Sequence, residues 1–161
     1  MLYIEAPKFD YYRHFQLPVF LAGGITNCPD WQSIMVQRLS DIDVLIYNPR
    51  RKNFSIDDPS ATELQIFWEH TYLKKAKCIL FWFPFESLCP IVLFELGFWL
   101  NSDKKIFVGT HADYKRRVDV EVQTMLARPD VEIVYNVYEL ADQVREYFWD
   151  YDSEVGRKAR K

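Results

Sequence analysis

Two carboxylates stand where the neighbouring residues give a charge little to pair with. Glu95 is the only charged residue in the helix-length run 91–100, IVLFELGFWL, and Glu69 closes the segment QIFWE ahead of the apolar run 78–83, CILFWF. An unpaired ionised carboxylate in apolar surroundings costs on the order of several kcal/mol, so acids placed this way are candidates for chemistry. Two carboxylates beside aromatic side chains suit cleavage at an anomeric carbon, where one attacks the carbon and an acid protonates the leaving group. The competing reading of Glu95 is structural, a single acid accepting hydrogen bonds from loop amides. Other catalytic inventories are missing: there is no HExxH, no GxSxG and no His-Cys cluster, and His14, His70 and His111 share no ligand spacing. Zinc hydrolysis and serine-triad chemistry are disfavoured, and no metal site is expected.

These acids must be held by an ordered scaffold, and the pattern along the chain supplies one. Short apolar runs at 18–22, 43–47, 78–83, 105–109 and 132–135 alternate with helical segments at 31–39, 60–75, 90–100, 118–127 and 137–149. Asp30 is placed to cap the first helix, and Ser60 with Glu63 has capping-box spacing for the second. Five βα units predict an α/β three-layer sandwich, flavodoxin-like or Rossmann-like, on a five-stranded parallel sheet. At 161 residues one domain is expected, with 1–17 as a peripheral leader and 151–161 as a frayed tail. Ligands on such sheets bind beyond the carboxyl ends of the strands. The loops at 23–29, 48–52, 84–89 and 110–117 are therefore the ones to inspect, and Glu95 follows the third of them by about one helical turn.

Several other residues have two readings each. Gly23-Gly24 ends the first strand and provides either a sharp turn or close backbone access to a ligand, but GGIT matches neither GxGxxG nor a P-loop. No ribose-binding acid ends the second strand; Asn48-Pro49-Arg50-Arg51 stands there instead, which argues against a nicotinamide cofactor. Arg50 and Arg51 are either solvated loop charge or a fork for a phosphate or carboxylate. Trp31, Trp68 and Trp82 are candidates to stack on a base, against the reading that they pack the core. The loop after the first strand lacks the Ser/Thr run that holds a flavin phosphate, so no cofactor is expected. A net charge of −3 argues against a nucleic-acid polymer as partner. Three cysteines far apart suit reduced thiols, and the absence of a signal-like or membrane-length apolar segment leads to the expectation of a cytoplasmic protein.

FLAGGI at 20–25, Asp30-Trp31, NPRR at 48–51, QIFWE at 65–69 and FELG at 94–97, in this order, resemble the nucleoside 2-deoxyribosyltransferase-like family over about Val19 to Gln123. The resemblance implies a flavodoxin-like fold and an active site under the first three strand ends. It also implies that Glu95 attacks C1′ of a nucleoside to give a glycosyl-enzyme, with Glu69 in the place of an Asp that positions and protonates the base. Gly23, Gly24, Asp30, Trp31, Asn48, Arg50, Trp68 and Trp82 are the candidate substrate-binding set, and the resemblance implies a homo-oligomer that completes the site across subunits. Two features depart from the family pattern: Leu21-Ala22-Gly23-Gly24 where the transferases usually carry LAGP, and a basic GRKARK tail that does not imitate the C-terminal carboxylate they use from a neighbouring subunit. The expected activity is N-glycosidic cleavage or transfer on a nucleoside or its 5′-monophosphate, the alternative being a nucleotide-binding module without catalysis.

Overall fold

The computed structural model describes residues 1–10, 14–52 and 59–158, with backbone only from 152 onward. Its elements are β1 (Leu2–Glu5), β2 (Leu17–Gly23), α1 (Trp31–Arg38), β3 (Val44–Asn48), α2 (Pro59–Lys75), β4 (Cys78–Phe83), α3 (Pro90–Trp99), β5 (Lys105–Thr110), α4 (Arg117–Ala127), β6 (Ile133–Val134) and α5 (Val137–Lys158). All strand pairs are parallel, in the order β1-β3-β2-β4-β5-β6. From β3 onward across the sheet this is the flavodoxin-like winding, which reverses direction at β2 and β4.

The sheet has six strands where five are expected. The additional one is β1, inside the supposed leader, and it pairs with β3 from Leu2↔Leu45 to Glu5↔Asn48. A four-residue edge strand with Leu2 and Tyr3 exposed carries no continuous apolar run, so it leaves little signal in the sequence. The other strands are buried runs, and their alternation sends neighbouring residues to opposite faces. In β4, Ile79, Phe81 and Phe83 face the layer of α2, α3 and α4, while Cys78, Leu80 and Trp82 face α1 and α5. Asp30 caps α1 as expected, its carboxylate accepting from Ser33 N at 3.1 Å. α2 begins at Pro59, which places Ser60 in the first turn rather than at the cap, and the polar loop expected over 50–60 falls partly outside the described residues. α5 extends through Lys158, well past the expected start of the tail.

Candidate active site

Both acids project from inward-facing helical stripes. On α3, Val92, Leu96 and Trp99 are buried, and Glu95 occupies the position between them at i+3 from Val92. On α2 the buried residues are Trp68, Tyr72 and Leu73, with Gln65 and Glu69 one turn apart on the same side. The core thus sets the rotation of each helix, and each helix aims one carboxylate at the same cleft. That cleft, about 270 Å³, is bounded by Ala22 to Thr26 at the end of β2, Pro49 after β3, Ser87 and Cys89 ahead of α3, and by Glu69 and Glu95. It lies at the carboxyl ends of the strands where the winding reverses, the place such sheets reserve for ligands.

The two carboxyls sit in different fields. Burial, and then the charge of Glu69, push Glu95 up to about 8. Burial also raises Glu69, but there the hydrogen bond from Gln65 and the positive charge of Arg51 oppose it. Gln65 Nε2 donates to Glu69 Oε1 at 2.7 Å and to Pro49 O at 2.8 Å, anchoring the acid to the loop after β3. Glu69 thus ionises before Glu95, and its charge helps to hold the proton on Glu95 up to about 8.

Among the expected binding residues, Gly23 and Gly24 line the cleft. Gly23 also has a packing reason, since a Cβ there would lie 2.5 Å from both Trp82 O and Trp31 Cζ2. The three tryptophans are placed elsewhere. Trp68 is fully buried and donates to Lys8 O at 2.7 Å, and Trp31 and Trp82 pack in the opposite layer, with Trp31 Nε1 donating to Gly24 O at 2.9 Å. Strand alternation turns Trp82, and the α1 stripe turns Trp31, away from the acids, whereas Trp68 on α2 packs against Phe20 and Tyr72 in the core of the acids' own layer.

Arg50, expected as an anion contact, is engaged by the protein itself. Its Nη2 donates to Ile25 O, Cys28 O and Pro29 O, each at 3.0 Å, and its Nε donates to Gln32 Oε1 at 2.9 Å. Asp30 adds an ion pair at 3.5 Å, and Asn48 Oδ1 accepts from Arg50 N at 3.0 Å while its Nδ2 donates to Tyr3 OH. Arg50 thus ties down the β2–α1 loop, and Asn48 and Asp30 hold Arg50 in place. Arg51 donates to Ala61 O at 2.9 Å. Gln65, Thr26, Ser87 and Cys89 are not in the expected residue set, although Thr26, Ser87 and Cys89 lie in the strand-end loops expected to hold a ligand and Gln65 stands four residues before Glu69. Among the described residues, no group of three or more His, Cys, Asp or Glu gathers to hold a metal ion.

The family described as nucleoside 2-deoxyribosyltransferase like matches residues 16–114, from the start of β2 to just before α4. That is more than half of the 161 residues. No curated protein matches the chain. Both acids and the whole cleft fall inside the matched span. The chain belongs to the nucleoside 2-deoxyribosyltransferase-like family.

Proposed function

We propose that this family member cleaves or transfers the N-glycosidic bond of a nucleoside through a covalent glycosyl-enzyme, with Glu95 as nucleophile and Glu69 as proton donor. The observation that carries this reading is the convergence of two carboxyls from separate helices in one cleft at the strand ends. Glu95 attacks C1′, the C1′–N bond breaks, and the base leaves with a proton from Glu69. Water or a second base then attacks C1′ and releases Glu95. The reactive arrangement needs Glu69 protonated and Glu95 ionised, which is the resting pair with its one proton moved between carboxyls. Below the range where one acid ionises, the nucleophile is lost; above about 8 the shared proton is lost. The rate therefore has a bell-shaped pH profile with its alkaline limb near 8.

The commitment of Arg50 to three carbonyls supports the uncharged nucleoside over the 5′-monophosphate, since a phosphate would meet an acid-bearing cleft without that guanidinium. Incubation with a panel of nucleosides and 5′-monophosphates, followed by chromatography for free base, tests the reading. Release of base from none of them would favour a binding module without catalysis. Addition of a second free base separates transfer, which yields a new nucleoside, from hydrolysis.

A homo-oligomer is part of the proposal. Ile91, Phe94 and Phe98 form an exposed apolar stripe along α3 that starts at the cleft, and Ile66 and Phe67 are exposed on α2. A second copy of the chain covering this stripe would also enclose the cleft mouth. Sedimentation should show a dimer or larger species, and Phe94→Glu should dissociate it.

A further inference from the structure

Gly24 lies between two thiols. A Cβ on this residue would sit 2.9 Å from Cys28 Sγ and 2.9 Å from Cys89 Sγ, so the sulphurs are no farther apart than twice that distance. They come from different loops: Cys28 from the one between β2 and α1, and Cys89 from the residue that precedes α3. Each makes a weak S–H bond to a carbonyl two residues back, Thr26 O at 3.3 Å and Ser87 O at 3.4 Å. Cys28 is partly exposed and is the thiol a small reagent meets first, while Cys89 is buried at the lining of the cleft. Cys78 is buried in the opposite layer among Val19 and Leu80.

We propose that Cys28 and Cys89 form a reversible disulfide that ties the two loops together across Gly24 at the rim of the acid cleft. A bridge requires the sulphurs to approach to about 2.05 Å, and the missing side chain at Gly24 leaves the space through which they rotate. With a small disulfide as oxidant, the Cys28 thiol gives up its proton and its sulphur displaces one thiol of the reagent, giving a mixed disulfide. The Cys89 thiol, deprotonated in turn, displaces the second. One small disulfide is reduced to two thiols as two protein thiols become one disulfide. Burial pushes both thiols up, Cys89 to about 11, so thiolate is scarce and the first step is slow. Proximity favours the second step over escape of the mixed disulfide. The inference depends on the cleft's geometry and not on the reaction proposed there.

The test treats the native protein with oxidised glutathione at mildly alkaline pH, followed by alkylation and peptide mapping by mass spectrometry. The expected product has lost the mass of two hydrogens, retains no glutathione, joins the peptides carrying Cys28 and Cys89, and has a higher Tm that a dithiol reverses. Cys28→Ser should abolish the linked peptide. Gly24→Ala, which puts a methyl group between the sulphurs, should slow bridging at least tenfold. Stable glutathione adducts on Cys28 or Cys89, a bridge through Cys78, bridging of Gly24→Ala at the unmodified rate, or no bridge where the unfolded chain reacts would each overturn the proposal. If Gly24→Ala does not fold, the unmodified protein and Cys28→Ser still decide it.

Discussion

At the ends of β2 and β4 the two faces of one sheet hold opposite chemistry. On the α2–α3 side Glu69 and Glu95 meet in a cleft of about 270 Å³; on the α1–α5 side Trp31 and Trp82 line a smaller, mainly apolar one of about 140 Å³ with Ile34, Pro84 and Val137, which Glu86 and His111 also border. The same strand ends frame both. Parity along β4 assigns Trp82 to one face and Phe81 and Phe83 to the other, and the acids arrive only because helices on one side carry them inward. A carboxyl pair and an aromatic wall that look adjacent in sequence are thus separated by the thickness of the sheet.

The comparison is broken most directly at Glu95. Glu95→Gln should lower kcat for nucleoside cleavage by about a thousandfold or more while binding survives, as loss of a covalent nucleophile does; near-normal turnover in a base-release assay would move the chemistry off this face. The opposite side should respond in stability instead. Trp82→Ala removes a buried ring and should cost about 3–5 kcal/mol in denaturant unfolding, with turnover by the folded protein little changed. Activity lost without destabilisation would make the aromatic face part of the site.

A subtler test uses the proton on Glu95. The unfolded chain releases it near 4.5, whereas the folded protein keeps it until about 8, so native stability conferred by this group declines as pH rises between those values. Glu95→Gln has no such proton and should become the more stable protein above pH 8, by about 1–2 kcal/mol once partial exposure is allowed for. Equal melting curves for the two proteins across that range would show that the carboxyl is not held in a desolvated pocket. The smallest expected effect belongs to Gln65→Ala. Removing the bond to Glu69 should lower kcat about tenfold, the size of one hydrogen bond to a charged group, and shift the acidic limb of the pH–rate profile upward.

Much of the scaffold was legible in the sequence. The buried strands announce themselves as apolar runs, and Asp30 marks the start of α1 through its capping bond to Ser33. β1 was not legible, because an edge strand of four residues with two exposed needs no apolar pattern. Within the site, Glu95 could be singled out by its isolation among apolar residues. The partners of Arg50 could not, since a guanidinium in a loop satisfies a folded backbone or a ligand with the same donors, and three carbonyls from the neighbouring loop decide between them.

The sequence by itself determined the order of strands and helices from β2 onward, the position of Glu95 soon after the loop that follows β4, and the family pattern that spans both acids. Tertiary structure alone decided which way those acids point. α2 and α3 carry apolar residues on every side, with Ile66, Phe67, Phe94 and Phe98 exposed, so neither helix has a polar face from which its rotation can be read. Packing of Trp68 and Tyr72 on one helix, and of Val92, Leu96 and Trp99 on the other, against the sheet sets that rotation. The same packing turns Glu69 and Glu95 into one cleft and leaves Trp31 and Trp82 on the far side of the strands.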